Sequence, residues 1–391
     1  MRTTETGYHA EPTVLLLAGE ASGDAHGAQI AKALRERIPG IRLVGSGGPR
    51  MADQEVELLA DLDDLAVMGF VEVLKHLRFF WGLERSIRKL IDSGAIDLVL
   101  PIDYPGFNLR IVRHAHRRGV PVLFYIAPQV WAWKARRATR LAREADHVAV
   151  ILPFEEEIFR REGASVTFVG HPLLERPDDV ADRDSFCESL DLPPDSRVLA
   201  LLPGSRSQEL DRHLDLFRET ADRVRMAHPA VHPIFAAAPS VDRKRLERTG
   251  FPVTDDTRAL LRHAEAALVK SGTGTLEAAL EGTPFVMVYR THPITFTIAR
   301  RLVKVDHVAL ANLVVGERLV PEVLQRDATP RRLVDELEPL LRRMDPERKR
   351  IVDGLAKVRN ELGTSGAADR VAHLAVGLLG LAEPDGPEGP S

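Results

Sequence analysis

Three stretches carry side chains whose types and spacing can do chemistry. Leu201-Leu202-Pro203-Gly204-Ser205-Arg206 is an apolar run, a turn, and the start of a long amphipathic run, so it reads as strand, tight loop and helix start. Gly204 allows the turn, the first N–H groups of the coming helix point outward, and Arg206 adds a cation, so Gly204, Ser205 and Arg206 suit a phosphate; an ordinary turn with a surface arginine is the plainer reading. Lys270-Ser271-Gly272-Thr273-Gly274-Thr275-Leu276-Glu277 has the same grammar. The N–H groups around Ser271, Gly272 and Thr273 suit a diphosphate, and Glu277, one turn inside the helix, can hold a ribose hydroxyl pair; a helix start without ligand is the alternative. The third stretch is Asp103-Tyr104-Pro105-Gly106-Phe107-Asn108 at the end of an apolar strand. Asp103 is either a general base for a substrate hydroxyl or a loop-forming aspartate bonded to nearby backbone.

A fourth loop, Gly19-Glu20-Ala21-Ser22-Gly23-Asp24, puts Glu20, Ser22, Gly23 and Asp24 where they can contact a hydroxylated ligand or cap the helix expected over 25–37. Two nucleotide motifs are missing. The glycine-rich loop Gly45 to Arg50 lacks the third glycine of the dinucleotide fingerprint, and the P-loop spacing GxxxxGK[ST] occurs nowhere.

These loops need strands and helices to aim them, and the chain supplies both in alternation. Apolar runs at 14–18, 41–44, 98–102, 122–126, 147–152 and 165–169 alternate with amphipathic ones, and the pattern restarts at 198–202, 231–236, 266–269 and 284–289, the last run ending at Tyr289 and Arg290. At 391 residues the chain suits two such α/β domains. The expected division is a loose N-terminus over 1–12, a first Rossmann-like lobe over 13–171, a Pro/Asp-rich linker over 172–196, a second lobe over 197–330, helices crossing the lobes over 331–381, and a polar tail over 382–391.

A net charge of −4 gives no global basic field and argues against a nucleic-acid partner. The single Cys187 cannot form an internal disulfide, and no Cys/His metal spacing is present, so no metal or other cofactor is expected. No apolar run reaches the roughly 18 residues of a spanning helix, which points to the cytoplasm. From Leu65 to Leu90 an apolar arc of Phe70, Val71, Val73, Leu74, Leu77, Phe80 and Trp81 is flanked by Lys75, Arg78, Arg85, Arg88 and Lys89. The arc is broader than a core helix needs and resembles a lipid-facing surface; a buried interface helix is the alternative. Two of the three tryptophans, Trp131 and Trp133, share one loop with Lys134, where they pack an interface or line a ligand site.

Taken together, AGEASGD at Ala18, GPRM at Gly48, LAVMGFVEVL at Leu65, DYPGFN at Asp103, PQVWAWK at Pro128, LPFE at Leu152, FVGHP at Phe168, LLPGSR at Leu201, SGTGTLE at Ser271 and ANL at Ala311 resemble lipid-A-disaccharide synthase, in order, from about residue 13 to about residue 326. The resemblance implies a GT-B fold, two Rossmann-like lobes facing across a cleft with C-terminal helices. It implies inverting transfer of 2,3-diacylglucosamine from its UDP ester to the 6-hydroxyl of 2,3-diacylglucosamine 1-phosphate, without a metal. Asp103 then matches the base and Arg206 the leaving-group cation. Gly204, Ser205, Ser271, Gly272, Thr273, Glu277, Tyr289, Arg290, Asn312 and Gln325 fall on the nucleotide-sugar side, and Glu20, Ser22, Gly23 and Asp24 on the acceptor side. The partners implied are the two lipid-linked sugars and the cytoplasmic face of the inner membrane, and the C-terminal helices could exchange between two copies in a homodimer. The base loop departs from the family pattern: Tyr104 and Gly106 stand where some members carry alanine and a second aspartate, which leaves Asn108 to orient Asp103. Two rivals stay open, a UDP-sugar 2-epimerase and a non-catalytic sugar-nucleotide or lipid binder.

Overall fold

Every residue of Thr13–Leu17 (β1) is buried, as expected of a strand covered on both faces by helices. The computed structural model describes residues 11–61, 72–129, 136–291 and 307–381, with the side chains of 72–78 and 136 outside that description. Two units emerge, Met1–Glu175 with Thr364–Ser391 and Arg176–Gly363.

In the first unit β1 lies between β2 (Arg42–Gly47) and β4 (Leu98–Pro101), and β3 (Glu57–Asp61) flanks β2, all parallel. Parallel bridges Val99–Val122 and Ile102–Tyr125 carry the array on to β5 (Leu123–Tyr125), β6 (His147–Val150) and β7 (Val166–Phe168). The order is therefore 3-2-1-4-5-6-7, a doubly wound Rossmann sheet whose order reverses between β1 and β4. Helices α1 (Ala21–Arg37), α2 (Pro49–Asp53), α3 (Glu72–Asp92), α4 (Pro105–Arg118), α5 (Arg136–Glu144) and α6 (Pro153–Arg161) complete the crossovers. Val14 and Leu16 pack with Ile30 and Leu34 of α1, whereas Leu15 and Leu17 pack with Ile87 and Ile91 of α3 and Ile111 of α4, so alternate residues feed two cores.

The second unit opens with α7 (Arg183–Glu188), whose Phe186 and Cys187 are buried, so the stretch expected as a linker contains a packed helix. Strands β8 (Arg197–Leu202), β9 (Val231–Ala236), β10 (Val253–Thr254), β11 (Ala266–Lys270), β12 (Phe285–Tyr289) and β13 (Glu322–Leu324) are parallel in the order 10-9-8-11-12-13, the Rossmann order again. Its helices are α8 (Ser207–Ala227), α9 (Arg243–Glu247), α10 (Thr257–His263), α11 (Gly274–Leu280), α12 (Leu310–Val315), α13 (Pro330–Leu341) and α14 (Pro346–Glu361). The chain then returns to the first unit, where α15 (Ala367–Leu378) places Val371, Ala372 and Ala375 in the core with α1.

Two local readings change. Helix α1 starts at Ala21 rather than Ala25, so Ser22, Gly23 and Asp24 lie in its first turn. Gly45 to Gly47 belongs to β2 rather than to a loop, because a Cβ on Gly45 would sit 1.8 Å from the Leu16 carbonyl oxygen. Glycine is used there for close approach of strands.

Candidate functional site

In open α/β sheets a ligand sits beyond the carboxyl ends of the strands where the order reverses. In the first unit those ends are β1 and β4, which deliver Ala18–Glu20 and Asp103–Tyr104. Asp103 and Tyr104 both adopt left-handed backbone, φ 48° and 46°. Two successive non-glycine residues in that region store strain and need outside support. Support comes from Asn108, 1% exposed, whose Nδ2 donates to the carbonyls of Asp103 at 2.7 Å, Leu17 at 3.2 Å and Ile102 at 3.4 Å. The Asp103 N–H in turn donates to the Tyr125 carbonyl at 2.9 Å. Asn108 thus holds Asp103 by its backbone. The Tyr104 ring lies against Gly19, where a Cβ would come within 2.3 Å of Cγ. Burial first, and the Glu20 charge second, push the Tyr104 phenol above its ordinary range, so it stays a neutral donor.

Across the loop, Ser22 Oγ donates to Glu20 Oε1 at 3.2 Å, and no side chain caps α1. Capping therefore does not account for Glu20 and Ser22. Asp24 differs: 3% exposed, its Oδ1 accepts from Gly48 N at 2.7 Å and Met51 N at 3.0 Å, and its Oδ2 from Arg50 N at 3.2 Å. It ties α1 to the start of α2, and its oxygens are taken by backbone donors.

In the second unit the order reverses between β8 and β11, which deliver Pro203–Arg206 and Ser271–Thr273. Gly204 has φ 128° and Gly272 φ 139°, values that glycine alone adopts readily. Arg206 is exposed at the N-cap of the 21-residue α8, with no side-chain cap on that helix. Thr273 heads α11, also without a side-chain cap, so both helix starts present N–H groups to the same strand ends. Glu209 joins the two loops: Oε2 accepts from Ser205 N at 3.0 Å and Oε1 from Lys270 Nζ at 2.6 Å. Tyr289 lies under Lys270, whose Nζ is 5.9 Å from the ring centroid. His213, 1% exposed, donates from Nδ1 to the Glu209 carbonyl at 2.8 Å and accepts the Arg290 N–H at Nε2 at 3.0 Å. Burial lowers its pKa, in keeping with the neutral tautomer those bonds require.

A model of the family described as Lipid-A-disaccharide synthetase matches residues 14–372. The chain belongs to the lipid-A-disaccharide synthase family. The lipid-A-disaccharide synthase of Geobacter sulfurreducens is 40% identical over 377 residues, which cover 94% of this chain and 97% of the relative. Among solved structures, a UDP-GlcNAc 2-epimerase from Neisseria meningitidis bound to UDP-GlcNAc aligns with TM-score 0.66 at 12% identity, covering 93% of this chain and all of that one. The calicheamicin glycosyltransferase aligns with TM-score 0.60 at 18% identity over 96% of this chain and all of that one. Likeness at such low identity is of fold alone, and the fold is GT-B, two Rossmann-like units. The epimerase rival keeps only that likeness.

Some residues matched to the family motifs also bond within the protein. Asn312 is fully buried; its Nδ2 donates to Val320 O at 3.0 Å and Glu322 Oε1 at 2.8 Å, while Oδ1 accepts from Val320 N at 2.8 Å. Glu322 also accepts the Ala309 N–H at 2.8 Å, so the ANL motif braces the start of α12. Gln325, at φ 51°, pairs its side-chain amide with the Thr291 backbone in both directions, at 3.0 and 3.2 Å. Glu277 Oε1 accepts from Arg176 at 2.7 Å, a partner that only the fold brings near.

On α3, Phe80 is half-buried and packs at 5.8 Å on Phe107 of α4, whereas Trp81 is 63% exposed. Phe70 and Val71, the side chains of Val73, Leu74 and Leu77, and Trp131, Trp133 and Lys134 lie outside the described residues. Sequence reasoning passed over Glu209, His213 and Arg176. For Glu209 the available signal was its place three residues after Arg206 in the motif helix.

Proposed function

We propose that the chain transfers 2,3-diacylglucosamine from UDP-2,3-diacylglucosamine to the 6-hydroxyl of 2,3-diacylglucosamine 1-phosphate, giving a β-1,6-linked disaccharide 1-phosphate and UDP in lipid A biosynthesis. The observation that carries this reading is the family match along 14–372, with a relative of that name 40% identical. Asp103 takes the proton of the acceptor hydroxyl as its oxygen attacks the anomeric carbon. The bond from that carbon to the diphosphate oxygen breaks on the opposite face, so one displacement inverts the centre. Negative charge gathers on the leaving diphosphate, where the Arg206 guanidinium and the N–H groups at the starts of α8 and α11 stabilise it. Glu277, Tyr289 and Arg290 complete the donor side, and Glu20 and Ser22 meet the acceptor. Strain at Asp103–Tyr104 fits this role, since such backbone clusters where geometry must be fixed in advance.

Donor and acceptor both carry acyl chains. No helix among the described residues is long and apolar enough to cross a membrane. Exposed Trp81, with Arg85 and Lys89 on the same side of α3, supports a peripheral seat on the cytoplasmic face of the inner membrane.

The deciding experiment measures UDP release with and without the acylated acceptor, in the presence of EDTA. Acceptor-dependent release that survives the chelator supports the reading. Sugar epimerisation without acceptor would replace it with the epimerase. Asp103→Asn should abolish release yet bind UDP as the wild type does; substantial residual turnover removes Asp103 as the base.

A further inference from the structure

The mechanism leaves the Glu209–Lys270 pair unused, although it sits inside the donor site. A carboxylate in the first turn of a helix is ordinarily favourable, but beside a diphosphate it is a like charge. Glu209 is nevertheless built in. Its Oε2 holds the Ser205 N–H at 3.0 Å, and the position a Gly204 Cβ would take is 2.7 Å from both its Cβ and its Oε2, so the loop is moulded around this side chain. Its carbonyl holds His213, which holds the Arg290 N–H. One face of α8 thereby touches the loops after β8 and β12, and through Lys270 the end of β11.

Burial acts to raise the Glu209 carboxyl, but the Lys270 hydrogen bond and charge, the Ser205 N–H and the Arg206 charge outweigh it and keep the group ionised. Both side chains of the pair are only 15% exposed, so water screens this charge weakly. The groups facing Glu209 are Lys270 from β11, Arg206 on its own loop and His213 one turn on; His213 in turn faces Lys270 and Arg290.

We propose that Glu209 and Lys270 are a positioning pair, in which Glu209 shapes the Gly204–Ser207 loop and Lys270 cancels its charge so that the loop accepts a nucleoside diphosphate. The inference rests on the donor-site reading above. It makes a signed prediction that a structural clamp does not: removing the cation weakens diphosphate binding, while removing the anion does not.

The test is calorimetric titration of the full chain with UDP, at pH 8, for wild type and variants. Lys270→Met should weaken UDP about ten-fold or more at pH 8. Lys270→Arg should bind as wild type. Glu209→Gln, whose amide still accepts from Ser205, should bind UDP at least as tightly as wild type, and Lys270→Met with Glu209→Gln should recover most of the loss. Weaker binding by Glu209→Gln at an unchanged melting temperature overturns the proposal, even if Lys270→Met fails to fold. So does a Lys270→Met loss that the added Glu209→Gln does not relieve. Absence of UDP binding by the wild type would instead overturn the donor-site reading itself.

Discussion

The side-chain amide of Asn108 donates to the backbone carbonyl of Asp103 at 2.7 Å, so the proposed base is fixed through its main chain by a buried residue five positions on. The same Nδ2 reaches the carbonyls of Leu17 and Ile102, which lets one side chain bind the ends of β1 and β4 to the strained Asp103–Tyr104 turn. Asn108→Ala leaves these carbonyls without that donor. We expect a loss of about 1–3 kcal/mol in urea unfolding. The fall in kcat should exceed what the folded fraction explains, because the turn can relax. Asp103→Asn, by contrast, should unfold at the wild-type urea concentration. Equal losses of kcat and folded fraction in Asn108→Ala would reduce Asn108 to a core residue.

Arg206 is exposed at the head of α8, where a cation gains most when charge appears on a leaving group. Arg206→Ala should therefore lower kcat by about 100-fold, with a smaller rise in donor KM. Interactions that strengthen in the transition state act on kcat; those equal in both states act on KM. Steady-state kinetics with the donor varied separates the two. A pure rise in KM would leave the Pro203–Arg206 loop as a docking element only.

Acid stability should be governed in part by Glu265, 7% exposed at the start of the β11 strand run. Burial would raise its carboxyl, but hydrogen bonds and charge from Arg197 and Arg343, at 2.7–3.0 Å, hold it below the usual range. A carboxyl whose folded pKa lies below its unfolded value of about 4.3 contributes stability at higher pH. That contribution is fully present above the unfolded pKa and is lost as pH falls through the folded one. Glu265→Gln should cost about 1–3 kcal/mol at pH 7 and progressively less below pH ~4, so the two unfolding curves converge in acid. Parallel curves would mean that the pair contributes nothing that titrates.

Both Rossmann sheets were legible because buried parallel strands are short apolar runs, and their ends fell at the glycine loops. The misreadings have physical causes. Ala21 to Asp24 is small and polar, so α1 reads as starting late, and only the three backbone bonds of Asp24 reveal a braced first turn. Gly45 reads as loop because glycine is a turn residue, while its real constraint, the Leu16 carbonyl, comes from another strand. Glu209, Lys270 and His213 join three strand ends, and no local pattern encodes a contact between residues 61 apart. The Leu65–Leu90 stripe divides for the same reason: Phe80 meets Phe107 from α4, and Trp81 meets solvent.

That division makes the lipid surface testable one residue at a time. Trp81, Arg85 and Lys89 are spaced i, i+4, i+8 on α3 and are all exposed, while Leu83, Ile87 and Ile91 on the opposite side are buried. An exposed tryptophan beside two cations suits the interface of an anionic bilayer, where each basic residue contributes about 1 kcal/mol that salt screens. Arg85→Glu with Lys89→Glu should therefore lower co-sedimentation with phosphatidylglycerol vesicles by about ten-fold or more at low salt, with little effect on neutral vesicles. Trp81→Ser should weaken binding to both kinds and should not change the urea midpoint. Phe80→Ser should lower that midpoint instead, because it removes the contact with Phe107. Vesicle binding that is indifferent to Trp81, Arg85 and Lys89 would remove this face of α3 from the membrane seat.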